Sequence, residues 1–453
     1  MQNKRIDTLL NILMKLHEGT PPEEVQEEFN THFASVSAME VAMMEQELIG
    51  REDNPITFED VLNLCNVHAK MFEGKIDETE ADSIDHPGHP VRVFKDENLA
   101  LRSTLLRIDN ILKAMETMDT KDEDYPGVYQ GLQYQWELLG QFDVHYERKE
   151  KLFFPKMEAA GHTAPPKVMW AKDDEIRSLF QEAGKILNEL SVANMAAFQE
   201  AYATFRYEFE EMIFKEEAIL LNILMEALTV KDWADIAQES SAYGYAIIKP
   251  SQVWEPEELA EPLKVAPQAT TPPSQPEVAP ASASPQSTNV AIETDKGTIR
   301  VSWEPKPELP PSNTLQFEQG HLSVEEVGLL LDHLPLEVTF VSAEDTFQYY
   351  NHMEDPEHML FKRTNSQLGR NIEFCHPPQS WPKVSQLIED LRNGRRDSES
   401  MWFERKDGRF VYVTYRAVRD KDGVYKGILE TVQDIQPFRN LPTPMKTDLS
   451  EIE

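Results

Sequence analysis

The chain has 453 residues, 80 of them acidic against 44 basic, for a net charge of −36. That length exceeds one ordinary core and predicts several domains, while the charge repels phosphate backbones and anionic lipid heads and so excludes nucleic acid as a main partner. Two distant cysteines, Cys65 and Cys375, make no disulfide framework, and no run reaches ~18 uninterrupted apolar residues. A cytoplasmic chain with no membrane span is expected.

Residues 1–76 read as a small all-α domain. Thr20-Pro21-Pro22-Glu23 and Ser37-Ala-Met-Glu40 are helix starts, because a capping side chain and a returning carboxylate satisfy the first free amides. Thr57 caps a third helix carrying Cys65 and His68 on one face, and an acidic, turn-prone connector holding His86 and His89 follows. These four are ligand types that transition metals or heme accept; the alternative is that Cys65 and His68 pack while His86 and His89 decorate the connector.

Between residues 85 and 240 four long periodic segments, Pro90–Met118, Gly127–Ala160, Pro165–Leu190 and Asn194–Leu228, are separated by short breaks. Long helices with one apolar stripe and short loops predict an antiparallel four-helix bundle. Two polar pairs at i, i+4, His145 with Lys149 and Met212 with Glu216, put polar groups on inward faces. Residues 255–313 hold most of a dense proline cluster and no aromatic residue before Trp303, a composition unable to bury enough apolar surface to order itself. They read as a linker, interrupted by a strand pair around Asp295-Lys-Gly297. From 322 to 438 a capped helix, two strands, a helical middle and three antiparallel strands predict an α+β domain, with hairpin turns at Lys406-Asp-Gly408 and Lys421-Asp-Gly423.

Three resemblances follow. Leu334–Val341, Asn365–Arg370, Tyr412–Arg419, Gly427–Glu430 and Cys375-His-Pro-Pro378 resemble a PAS domain. His145–Pro155, Lys167–Trp170, Asp173–Ile176 and Met212–Leu221 resemble a hemerythrin-like (HHE cation-binding) bundle. Leu16–Gly19, Met44–Ile49 and Leu64–His68 resemble the helical domain of unknown function 438. The hemerythrin resemblance implies two irons held by His-x-x-x-Glu pairs. In this chain Asn98, His145, Asp173 and Met212 fall where imidazoles belong, and Lys149 and Glu216 where carboxylates belong. Only His145 and His162 lie between Pro90 and Leu228, too few imidazoles for a site of the O2-carrying kind.

An ammonium at Lys149 would repel a divalent cation and gain from pairing with Asp173 or Glu216. Three readings stay open. Asn98, His145, Lys149, Asp173 and Glu216 form a metal-free polar network; or a carboxylate-rich metal site uses His145, Glu150, Asp173, Glu216 and Glu217; or the bundle is ordinary, with Lys149 and Glu150 in solvent. The PAS resemblance implies a ligand near Cys375 and His376, where either side chain could ligate heme iron. No nucleotide-binding loop or nucleophile elbow is present, so no enzyme is read. The functional expectation is a sensory or regulatory protein acting through an unknown protein partner, with a small-molecule or gas signal. A homodimer is expected by analogy with other PAS modules. The alternative is a non-heme iron or heme protein handling O2, NO or peroxide.

Overall fold

A computed structural model describes residues 2–50, 67, 71–72, 75–76, 84–119, 121–191, 194–256, 259, 288–294, 297–303, 314–353, 355–405 and 407–441. Cys65, His68 and the helix predicted from Thr57 lie largely outside that set. Two compact units result, Met1–Leu259 together with Pro335–Glu453, and Ala260–Leu334.

Helices α1 (Gln2–His17), α2 (Pro22–His32) and α3 (Ala38–Gly50) open the first unit. Ile6, Leu9, Leu10 and Leu13 recur at helical spacing and are all buried. The Ser37–Glu40 capping box forms, Glu40 Oε2 accepting from the Ser37 amide at 3.1 Å and Ser37 Oγ from the Glu40 amide at 3.1 Å. The apolar core of these helices runs on without a break into that of the bundle.

The bundle comprises α4 (Pro90–Met115), α5 (Tyr125–Leu139), α6 (Phe142–Arg148), α7 (Phe154–Ala159), α8 (Ala164–Asn188), α9 (Met195–Lys215) and α10 (Leu221–Ala227). A further helix, α11 (Val230–Tyr243), is capped by Thr229 and Asp232. Its core is aromatic: Trp136 stacks on Phe180 at 4.3 Å, and Phe205 and Phe209 lie 5.4 Å apart. The segment predicted as one helix over Gly127–Ala160 is broken twice. Gly140 turns where an added Cβ would sit 3.2 Å from the Phe180 ring. Lys149–Phe153 then forms a π-turn, its closing amide at Phe154 bonding back to the Lys149 carbonyl. Pro155 accounts for this: it has no N–H for the Lys151 carbonyl, and its ring would clash with that carbonyl in a regular helix. A second π-turn, Glu216–Leu220, sits between α9 and α10 and contains no proline.

In the rest of the first unit, β5 (Glu337–Ser342), β6 (Phe347–Tyr350), β7 (Ser398–Glu404), β8 (Phe410–Arg419) and β9 (Tyr425–Asp434) form an antiparallel sheet in the order β6-β5-β9-β8-β7. The two earlier and three later strands expected from the sequence are all present. Helix α13 (Trp381–Arg392) lays Ile388 and Leu391 over Val341 and Ile428 of the sheet. Gly427 pairs with Ser342 at φ +143°, where a Cβ would run into the Val341 carbonyl and lie 3.0 Å from the Phe340 ring. Gly427→Ala is therefore expected to destabilise the sheet by about 2–5 kcal/mol, read as a lowered urea midpoint. A midpoint within error of the parent would show that the strand relaxes there.

The second unit contains the hairpin β1 (Thr288–Thr294) with β2 (Gly297–Trp303), pairing Thr294 with Gly297 across the turn as expected. A hairpin not foreseen from the sequence, β3 (Thr314–Phe317) with β4 (Gly320–Ser323), leads into α12 (Val324–Asp332), capped by Ser323 and Glu326.

Candidate functional site

Five elements of the bundle converge on one buried cluster of charge. Helix α4 supplies Glu97 and Asn98, α6 supplies His145, Tyr146 and Arg148, the first π-turn Lys149, α8 Asp173, and the second π-turn Glu216. All are buried. Lys149 Nζ donates to Asp173 Oδ1 at 2.7 Å and Glu216 Oε1 at 2.6 Å, and lies 3.9 Å from the centre of the Tyr146 ring. His145 faces a carboxylate at each nitrogen, Glu97 at 2.9 Å and Glu216 at 3.4 Å. Arg148 pairs with Glu97 and also donates to the Gly244 carbonyl at 2.6 Å. The remaining Glu97 oxygen accepts from the Ala246 amide at 2.6 Å.

The charges settle by counting partners. Burial works against Glu216 ionising, but Lys149 and then His145 outweigh it and hold the carboxyl at about 2. Asp173 has Lys149 alone, its Oδ2 has no hydrogen-bond partner, and burial pushes its pKa well above the usual range. Burial by itself would depress Lys149; the two carboxylates reverse this and raise it. Glu97 is treated like Glu216: burial raises it, and Arg148 and His145 more than offset that. Asn98, at a position where the resemblance implies an imidazole, is fully buried with neither amide atom hydrogen-bonded.

The other residues singled out from the sequence are engaged elsewhere. Glu150 accepts from Arg177 at 2.7 Å and Glu217 from Arg102 at 3.0 Å. His86 Nδ1 accepts from the Gly88 amide at 3.1 Å. His89 caps α4, accepting from the Val91 amide at 3.2 Å. Glu97 and Arg148 are central members that the sequence reading missed. Arg148 stands three residues after His145 and Glu97 one before Asn98, so the helical spacing at Arg148 carried a signal.

The donor set does not fit the pair of irons that a hemerythrin-like bundle implies. It offers one imidazole, an ammonium occupies the space between Asp173 and Glu216, and the Glu97 carboxylate is paired with a guanidinium. Among the described residues no three His, Cys, Asp or Glu side chains are disposed around a common point suited to a metal ion.

A second site lies against the first. The α+β domain encloses a cavity of about 270 Å³ between its sheet, α13 and the loops that precede it. Val341, Phe347, Ile388, Leu391 and Ile428 line it together with Cys375 and His376. His376 Nδ1 donates to the Ile372 carbonyl at 2.9 Å, and Cys375 Sγ lies 3.7 Å from the Asn371 carbonyl. Burial raises the thiol's pKa and lowers the imidazole's. The domain docks on the first π-turn and its flanks. Arg370 grips Glu158 with two bonds of 2.6 and 2.7 Å and reaches the Glu150 carbonyl at 3.4 Å. Lys167 pairs with Glu373 at 2.9 Å, and Gln367 Nε2 donates to the Tyr243 hydroxyl at 3.1 Å.

Residues 9–78 match the family of unknown function DUF438, 89–224 the hemerythrin HHE cation binding domain, and 327–436 the PAS domain. The chain thus combines these three domains in this order. Among solved structures, the C-terminal domain of a Streptococcus mutans protein is 55% identical, covering 28% of this chain and 97% of that one at a TM-score of 0.28. A sensory box sensor histidine kinase from Vibrio cholerae is 17% identical over 24% of this chain and 90% of its own, TM-score 0.19. The PAS domain of a Colwellia psychrerythraea protein is 12% identical over 25% and 98%, TM-score 0.20. No curated protein matches. No helix among the described residues is long and apolar enough to cross a membrane.

Proposed function

We propose that this chain is a regulator in which the PAS module receives a small-molecule signal and the hemerythrin-like bundle, holding a salt-bridged network in place of iron, relays it to a protein partner. The observation that carries this reading is the Lys149 ammonium between Asp173 and Glu216. An ammonium already stands between the two acidic side chains that a metal ion would use, as the counter-ion of Glu216, and it brings hydrogen bonds that a divalent ion would have to displace. The relay is supported by the first π-turn. Its consecutive residues turn Lys149 into the bundle network, Glu150 to Arg177, and the Glu150 carbonyl to Arg370 of the PAS domain. A shift on the PAS side is thereby tied to the register of Lys149.

The test is elemental analysis with a visible spectrum on full-length protein purified without oxygen. A colourless protein without stoichiometric metal is expected. Near-stoichiometric iron would overturn the network reading, and a heme band would redirect attention to Cys375 and His376. A gain-of-function variant probes the same alignment. Lys149→Glu with Met212→His creates two His-x-x-x-Glu pairs, at 145/149 and 212/216, and Met212 is already fully buried. The double variant is expected to retain more Fe²⁺ than the parent after desalting; equal retention would mean that these positions do not converge as an iron site needs.

A further inference from the structure

The PAS cavity has one wall that is not PAS. Lys151, from the π-turn of the bundle, lines it. Its ammonium lies 4.9 Å from the Trp170 ring centre, and no carboxylate or other acceptor among the described residues hydrogen-bonds it. Of the other charges lining the cavity, Arg363 pairs with Glu430 at 3.2 Å and Arg370 with Glu158 at 2.6 Å, while Lys383 on α13 is exposed to water. Apart from these groups and a few polar side chains, the walls are apolar. A half-buried ammonium facing an apolar chamber, with the nearby Glu150 carboxylate hydrogen-bonded to Arg177 instead, is a costly arrangement unless something supplies an acceptor.

Resting on the reading of the PAS module as the signal receiver, we propose that the cavity takes a small amphipathic carboxylate, its apolar body between sheet and α13 and its head group on Lys151. The ligand would then bridge two domains. A cavity of about 270 Å³ is near the lower end of small-molecule pockets, ~300–1,000 Å³, which favours a compact or medium-length ligand. Lys151 stands two residues after Lys149 on the same π-turn, so a ligand that draws on Lys151 acts directly on the segment that holds the buried network. Neither domain alone contains the complete site: the PAS domain supplies the apolar chamber and the bundle supplies the Lys151 ammonium.

The experiment uses the full-length chain and three probes of equal length: octanoate, octan-1-ol and octylamine, titrated calorimetrically. Octanoate is expected to bind roughly 10- to 100-fold more tightly than octan-1-ol, the difference a charge-assisted hydrogen bond makes, and octylamine not at all. Lys151→Met should erase the advantage of octanoate while leaving octan-1-ol binding in place, which also reports that the cavity is intact; Lys151→Arg should keep most of it. Octanoate should slow amide exchange across Lys149–Phe153 in the parent and not in Lys151→Met. Equal binding of octanoate and octan-1-ol by the parent overturns the carboxylate assignment while leaving an apolar PAS ligand site. Binding of none of the three overturns both this assignment and the reading of the cavity as a receiver. The comparison on the parent chain decides between these without any variant.

Discussion

Lys149→Met is expected to cost the helical region about 3–5 kcal/mol near neutral pH, measured by urea denaturation followed by far-ultraviolet circular dichroism. The substitution fills much of the same volume, so the loss is electrostatic rather than a cavity. It leaves Glu216 and Asp173 fully buried, with only His145 near the first and no hydrogen-bonded cation on the second. Removing the opposing charge as well, as Lys149→Met with Glu216→Gln, should recover part of the loss, because a neutral pair avoids the uncompensated ion.

The pH dependence has a definite sign. In the parent, Glu216 has its pKa depressed from 4.5 to about 2, so its stabilising contribution is complete above pH 4.5 and fades as pH falls toward about 2. Without Lys149 the chief cause of that depression is gone, and burial drives the carboxyl upward. The deficit of Lys149→Met relative to the parent should therefore be largest near neutral pH and shrink as the solution is acidified to about pH 4. A deficit that is independent of pH would show that Lys149 acts by packing against Tyr146 and not as a counter-ion.

Arg370→Ala should produce a comparable effect, about 3–5 kcal/mol, on the docking of the PAS domain against the bundle. Both partners of the Arg370–Glu158 pair are nearly excluded from water, with side-chain exposures of 3% and 7%. The guanidinium uses two donors on the carboxylate and a third on the Glu150 carbonyl, a planar fork that lysine cannot reproduce. Truncation strands Glu158, whose pKa burial already raises against the pull of Arg370. Hydrogen exchange should show lost amide protection in residues 147–158 and 362–376 together, with Arg370→Lys in between. Protection unchanged in both segments would mean that the remaining contacts hold the interface.

Local pattern made much of this molecule legible. Hydrophobic spacing along Pro90–Met118 marked a helix because an apolar stripe is a property of neighbouring residues. The boundaries at Ser37 and at Ser323, which opens the capped helix of the last domain, were visible for the same reason: a cap and its returning carboxylate are three residues apart. The turns at Lys406-Asp-Gly408 and Lys421-Asp-Gly423 marked the closing strands. The i, i+4 pairs placed His145 with Lys149 and Met212 with Glu216 on inward faces, and charge made the pairing of Lys149 with Asp173 or Glu216 one of the three readings that the sequence left open.

What the tertiary structure decided is what depends on distance in sequence or on departures from the regular helix. Glu97 joins His145 and Arg148 across about fifty residues, and Arg370 reaches Glu158 across 212. No periodicity encodes such meetings. The first π-turn re-aims Lys149, Glu150 and Lys151 away from the directions of an unbroken helix, and only Pro155 hinted at it; nothing in the sequence marked the second, at Glu216–Leu220. By sequence alone, then, the order of the domains and the charge types of the bundle site were determined. The fold determined which charges meet, because each pairing requires elements far apart in the chain to pack in one register, and it turned Lys151 out of its own domain and into the cavity of another.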